Sequence, residues 1–400
     1  MRFKVRTAIS AADPALELEQ DLLLQLETQQ QADLSFVFGS ARQVAKFAGL
    51  SKVTALSKLW IGGSSCRGAL NDQTLDLYPD TLAVLQIFDA QGHYGVASGV
   101  LSSGNVRQLA KDVLLQAIAN ASCATETPAM VWCYQAPGHE EALLAGFADA
   151  VGTGVPVFGG SSGDDDINGD WLQYSHLQCG SDLLVVAVLF PSVLIAGHFG
   201  SGYRLTGDTA LVSKAIDREI VELDQMPAAD VYRRWQGLAP FSPFMRTNVL
   251  SQSSFHPIGR IVSGLDDSPV LLLSHPAYVE ADQRMGLFST VKEGERVYLL
   301  AGNPTELAEK AGEVVAEAVA HILAQGQLPS AAVIVFCGGC MLAIPEKMAL
   351  VLQGIRRQLP ELPFVVTFTF GEQGFFADGT NRHGNLMVSA VVFGSDNERT

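Results

Sequence analysis

Short apolar runs bounded by glycine, proline and polar clusters alternate along this chain with stretches whose apolar residues return at helical spacing. Residues 13–30 carry Ala15, Leu16, Leu18, Leu22, Leu23 and Leu26 on or near one side, which predicts an amphipathic helix. Residues 305–325 do the same with Leu307, Ala311, Val314, Val315, Ala318 and Ile322. Further helices are expected at 41–56, 105–119, 140–150 and 345–359. Strands are expected at 1–9, 34–40, 81–88, 94–100, 129–134, 182–190, 193–204, 271–274, 285–290, 296–302, 332–336, 364–370 and 385–393. Residues 209–220 read as a helix or a connector, and a short helix is expected near 228–236. Gly237-Leu-Ala-Pro-Phe-Ser-Pro243 reads as a linker, because its two prolines interrupt both kinds of regular structure.

The pattern repeats. Leu59-Trp-Ile-Gly-Gly-Ser-Ser65 and Val155-Pro-Val-Phe-Gly-Gly-Ser-Ser162 each begin as an apolar strand and break into a Gly-Gly-Ser-Ser turn, where glycine admits positive φ. A strand and a helix precede each copy, and two strands follow it. The unit spans roughly seventy residues and is read twice. A third, looser copy starts at 332, with Cys337-Gly-Gly-Cys340 and Gly371-Glu-Gln-Gly374 as its turns. Hairpins mixed with helical crossovers require mixed sheets with helices on one face. The fold class expected is α+β, a layered α-β-β-α type sandwich with mixed sheets and internal strand-helix-strand-strand repeats.

Composition narrows the function. A chain of 400 residues exceeds one ordinary core and predicts two or three domains. A net charge of −16 argues against nucleic acid and against an anionic membrane surface. Residues 1–6 lack the apolar core of a signal peptide, and the most apolar run, 183–196, is too short to span a bilayer and contains Pro191. Six cysteines in this length are not a secreted disulfide framework, so a cytoplasmic location is expected. Gly-Gly-Ser-Ser is no phosphate-binding loop, since no Gly-Lys-Ser/Thr follows. Asp164-Asp-Asp166 lacks the alternating carboxylates of a calcium loop and reads as a solvated loop or a partner-binding rim.

Several pieces, taken in order, resemble a known family. Gly159-Gly-Ser-Ser-Gly-Asp-Asp165 and Ser201-Gly-Tyr-Arg-Leu-Thr-Gly207 resemble the FIST amino-terminal domain. Phe336-Cys-Gly-Gly339, Phe370-Gly-Glu-Gln373 and Asn381-Arg-His-Gly-Asn385 resemble the FIST carboxy-terminal domain. The resemblance implies a FIST N-like domain at 1–215, a FIST C-like domain at 216–400, and a sensory module in place of an enzyme. Free-standing chains of this length are similar to the NosP-type nitric-oxide-sensing haemoproteins. That likeness implies haem as cofactor, nitric oxide as ligand and a separate histidine kinase or other signalling protein as partner. Assembly as a homo-oligomer is left open.

Haem iron needs an imidazole, thiolate, phenolate or thioether ligand in an apolar cavity. Among eight histidines, His198 lies in the most apolar part of the chain, flanked by Gly197 and Gly200, and is the expected metal ligand. Phe199 and Tyr203 are the candidates to face a porphyrin, and Arg204 to meet a propionate. His176, near Cys179, is the second choice. Cys337, Glu372, Arg260 and His383 are the candidate ligand-binding residues. Many family members carry Cys-x-x-Arg where this chain has Cys337-Gly-Gly-Cys340, which puts an anionic, amino-acid-like ligand in doubt. The alternatives are a haem-free sensor of a small metabolite, and a redox or hydrolytic enzyme using Cys337, Cys340 and Glu372.

Overall fold

Alternation along Leu34–Gly39 sends Phe36 and Phe38 to one face and Val37 to the other. Along Met130–Gln135 it does the same with Trp132 and Tyr134 against Val131 and Cys133. The two faces meet different layers. The computed structural model describes residues 3–75, 79–239, 245–265 and 268–395, and in it the repeated unit occurs three times, each copy building its own mixed sheet.

At the centre of each sheet two strands of one unit run parallel: Leu34–Gly39 beside Trp60–Ser64, Met130–Gln135 beside Val157–Ser161, and Leu328–Cys337 beside Phe364–Thr369. The unit's third strand pairs antiparallel with its first: Leu82–Phe88, Leu183–Phe190 and Val388–Ser395. The outer strands are exchanged. His93–Val100 of the first unit joins the second sheet, and Ile195–Gly200 of the second unit joins the third. Lys4–Ser10 fills the same place in the first sheet. The opposite edges are exchanged too. Leu70–Asn71 joins the third sheet, Gln173–Ser175 the first, and Gly371–Phe375 the second.

The three inner faces share one core. Phe36 meets Trp132 and Phe38 meets Tyr134, each with ring centroids 5.3 Å apart, and Phe3 stacks on Phe393 at 5.7 Å. Helices cover the outer faces. Ala15–Leu26 and Ala41–Phe47 lie on the first sheet through Leu18, Leu22, Val44 and Phe47. Val106–Asn120 and Glu140–Val151 lie on the second, and Pro304–Ala324 and Met348–Gln358 on the third. Any two sheets with their helices make the α-β-β-α layering expected from the pattern, and the class is mixed α+β. The third unit closes these layers on one another.

Between the second and third units the chain builds a fourth, antiparallel sheet. It contains Arg204–Ile216, Glu219–Leu223, Ile258–Leu265, Ser268–Ser274, Pro276–Val279, Met285–Leu287 and Arg296–Ala301, with Ala228–Trp235 packed on it through Val231 and Tyr232. The sequence boundary expected at 215/216 falls inside the strand Arg204–Ile216.

Four local expectations are corrected. Residues 209–220 are mainly strand and hairpin, because Ala210 and Val212 face a core across Val297 and Leu299. The helix expected at 41–56 breaks after Phe47 and resumes at Ser51–Thr54. Cys337-Gly-Gly-Cys340 is no simple turn, since the helix Gly338–Ala343 starts there. Gly-Gly-Ser is likewise no turn: its residues end the strands Trp60–Ser64 and Val157–Ser161. Those glycines are needed for a different reason. Gly62 and Gly159 have φ of 155° and 140°, and a Cβ on either would lie 1.8 Å from the carbonyl oxygen of Val37 or Cys133. Residues 240–243 of the expected linker lie outside the described residues. No described helix is long and apolar enough to cross a membrane.

Candidate functional site

A cavity of about 430 Å³ lies where the fourth sheet meets the third unit. Its walls come from three parts of the chain. Leu250, Ser254, Phe255, His275 and Phe288 belong to the fourth-sheet region, and Cys337, Leu342, Phe370 and Asn385 to the third unit. Ile167 reaches in from the second unit's loop. Proline at 276 and the end of the strand Ser268–Ser274 place His275 at the seam. The His275 amide donates to Asn385 Oδ1 at 3.3 Å. Its ring Nε2 lies 3.2 Å from the Leu250 carbonyl, and burial lowers the imidazole to about 4, so the ring is neutral.

Behind Cys337 lies a sealed acid. Glu372 sits in the strand Gly371–Phe375 and is fully buried. It accepts from the Thr369 hydroxyl at 2.9 Å and from the Met387 amide at 3.1 Å. Burial, and then the Cys337 thiol beside it, pushes the carboxyl well above its ordinary range. Burial and the neighbouring Cys340 raise the Cys337 thiol as well. Cys340 Sγ lies 3.6 Å from the Tyr203 hydroxyl, which donates to the Ser254 carbonyl at 2.6 Å. The raised Cys337 thiol disfavours the thiolate that redox or nucleophilic chemistry needs. Among the described residues no cluster of three or more His, Cys, Asp or Glu side chains is placed to hold a metal ion.

The second unit is tied to the fourth sheet by a buried ion pair. Arg218 reaches Glu140 at 2.6 Å and Glu141 at 2.5 Å, and the Thr290 amide donates to Glu141 at 2.7 Å. Glu140 also accepts from Ser161 of the Gly-Gly-Ser-Ser run at 2.6 Å. Burial would push its carboxyl up. The charges of His383 and Arg218, with hydrogen bonds from Ser161 and Arg218, outweigh this and hold it near 2. Residues 159–163 do carry the spacing Gly-x-Ser-x-Gly. Ser161 is nevertheless fully buried and spent on Glu140, so it is not presented as a nucleophile.

Of the four residues expected around a haem, His198, Phe199 and Tyr203 line one groove and Arg204 stands outside it. His198 is half-buried in a largely apolar groove of about 750 Å³ whose lining includes Lys310, His321 and Ile322. Burial lowers its imidazole, which keeps it neutral. Phe199 is the next residue on the same strand and points to the opposite face, where it packs edge-on against Phe376 with centroids 5.3 Å apart. Tyr203 is committed to Ser254 and Cys340. Arg204 holds Glu306 at 2.7 Å on the surface. His176, the second choice, lies at a shallow pocket with Cys179, its Nδ1 accepting from the Trp60 amide at 3.4 Å.

The four ligand candidates divide as well. Cys337 lines the seam cavity, with Glu372 behind it. Arg260 and His383 line a separate cleft of about 720 Å³ beside the helix Glu140–Val151. Asp164 is a structural tie and no solvated rim: it is buried and accepts from the amides of Ile167, Asn168, Gly169 and Asp170 at 2.5–2.9 Å. Sequence reasoning missed His275, Phe288, Ser254 and Asn385 as cavity residues. Asn385 stood in the Asn381–Asn385 motif, but nothing local pairs it with His275.

The fold and the site can now be set beside known proteins. Residues 33–226 match the FIST N domain, and residues 228–375 match the FIST C domain. No curated protein matches the chain. Among solved structures, a cyanuric acid hydrolase from A. caulinodans is similar at 8% identity over 97% of this chain and 98% of that one, with a TM-score of 0.40. Another cyanuric acid hydrolase is similar at 7% identity over 50% of this chain and 72% of that one, with a TM-score of 0.29. T. maritima PurL complexed with FGAR is similar at 10% identity over 99% of this chain and 73% of that one, with a TM-score of 0.22. Likeness at this level carries no conclusion about activity.

Proposed function

The chain belongs to the FIST family of sensory, generally non-catalytic domains, and from that premise we propose that it is a small-ligand sensor whose occupant sits in the seam cavity. One observation carries this reading: the cavity is walled by the second unit, the fourth sheet and the third unit together. An occupant that touches all three favours one arrangement of them, and that differential contact is what a sensor needs to shift a population. A signalling protein, proposed here as a histidine kinase acting in trans, then reads the shift. The family resemblance supports that partner.

The test fills the cavity. Ala343 lines it at the end of the helix Gly338–Ala343. In a thermal-shift screen of small metabolites, a ligand should raise the Tm of the wild type and leave Ala343→Trp unchanged. The same ligand should alter autophosphorylation of a histidine kinase recovered with the chain. Ligands that act equally on both proteins would place the sensing site elsewhere.

A second reading keeps haem, and the observation favouring it is His198. Its neutral imidazole lies in a largely apolar groove, where it would be the iron ligand, and Lys310 is the cation at hand for a propionate. Phe199 and Tyr203 line the same groove, while Arg204, held by Glu306, does not. Haem, when bound, would supply the iron that takes up nitric oxide. Protein from haem-supplied cells should then show a Soret band that shifts with nitric oxide and that His198→Ala loses. Absence of a stoichiometric band removes this reading, and a band that survives His198→Ala moves the ligand elsewhere.

A further inference from the structure

The seam cavity has a definite hydrogen-bonding character, and it is uncharged. Among the described residues that line it, none is a lysine, arginine, aspartate or glutamate. A carboxylate or ammonium entering it would lose its hydration and find no counter-charge. An amino-acid-like zwitterion therefore does not fit.

The cavity's wall holds an unused donor. Asn385 is 2% exposed, its Oδ1 is taken by the His275 amide, and its buried Nδ2 has no hydrogen-bond partner among the described residues. A buried amide left in that state is unfavourable, and an incoming acceptor relieves it. Beside it stands an acceptor. His275 Nε2 faces the Leu250 carbonyl, so that nitrogen carries the proton and Nδ1 keeps a lone pair. The neutrality of the ring makes this fixed at physiological pH. Phe255, Phe288 and Phe370 complete the walls, and the volume is that of a small-molecule site.

Resting on the reading that this cavity is the ligand site, we propose that it takes an uncharged planar ligand in which a carbonyl acceptor adjoins an N–H donor, a cyclic amide. The carbonyl meets Asn385 Nδ2 and the N–H meets His275. The fused aromatic rings of such a ligand lie among the phenylalanines.

Calorimetry with three probes of one shape tests the class in the unmodified protein: 2-quinolone, naphthalene, and 1-naphthoate. 2-Quinolone should bind at least tenfold tighter than naphthalene, and 1-naphthoate should not bind. Asn385→Leu should erase the advantage of the lactam. In case that variant misfolds, the wild-type side-chain amide resonance of Asn385 should move on adding 2-quinolone. Equal binding of naphthalene, failure of 2-quinolone to bind, or binding of 1-naphthoate would overturn the proposal. Ala343→Trp separates the two failures. If it blocks 1-naphthoate, the seam remains the site and only the ligand class is wrong. If it blocks nothing that binds, the seam reading itself is lost.

Discussion

Replacing Gly159 with alanine should leave little folded protein. The new Cβ would sit 1.8 Å from the Cys133 carbonyl oxygen, inside the parallel strand pair that centres the second sheet. Backbone, and not a flexible side chain, blocks it, so the strands must part. The φ of 140° is itself strained for an L-residue. The two effects together should cost about 3–5 kcal/mol, a large part of a typical total stability. Gly154→Ala is the control, since a Cβ there meets nothing within 4 Å. Soluble yield and the urea midpoint should collapse for Gly159→Ala and stay near the wild type for Gly154→Ala. Retention of the wild-type midpoint by Gly159→Ala would show that this strand pair has slack the structure does not display.

Arg218→Ala should be the next most damaging change. It strands Glu140, which is 2% exposed, and removes one of the groups that hold its carboxyl near 2. Loss of one partner from a buried pair costs about 3–5 kcal/mol. The sign with pH follows from the depressed value. In the unfolded chain the group titrates near about 4.3, so its stabilising contribution is complete above that pH and disappears as pH falls toward 2. The deficit of Arg218→Ala should therefore be largest at neutral pH and shrink below about pH 4. Pairing Arg218→Met with Glu140→Gln should recover most of the loss, because glutamine still accepts from Ser161 without a charge to compensate. Denaturant titrations at pH 7 and pH 4 read both effects. A deficit that grows on acidification would contradict the ion-pair account.

What could be read from the sequence was whatever the backbone dictates over short distances. The apolar runs ending in Gly62-Gly63 and Gly159-Gly160 are strands, and the seven-residue spacings of Leu307, Val314 and of Ala311, Ala318 are a helix, because alternation and helical period are local. The third repeat looked weak because its strand Phe364–Thr369 has Thr367 and Phe368 where the others have glycines. Thr367 instead shares a hydrogen bond with the Tyr134 hydroxyl at 3.0 Å, so the position is kept while its chemistry differs. The fourth sheet was harder to see. Its longest strand, Arg204–Ile216, carries register shifts that scramble period two, so residues 209–220 lost the strand signature. The site was least legible. His198 and Phe199 are neighbours in sequence and face opposite ways, while His275 and Asn385 meet across two sheets. Chemistry assembled by long-range contact leaves no trace in a local window.

The exchange of strands bears on how the molecule comes to exist. During synthesis the first sheet cannot acquire its edge until Gln173–Ser175 has emerged, and the second must wait for Gly371–Phe375. Until then Val157–Ser161 offers an open edge to whatever strand is near. The nascent chain therefore stays unfinished until residues 371–375 have emerged, a long exposure that invites mispairing and rewards a chaperone. Expression of either half alone should give aggregate, and the two halves made together should succeed only where each supplies the other's missing strands.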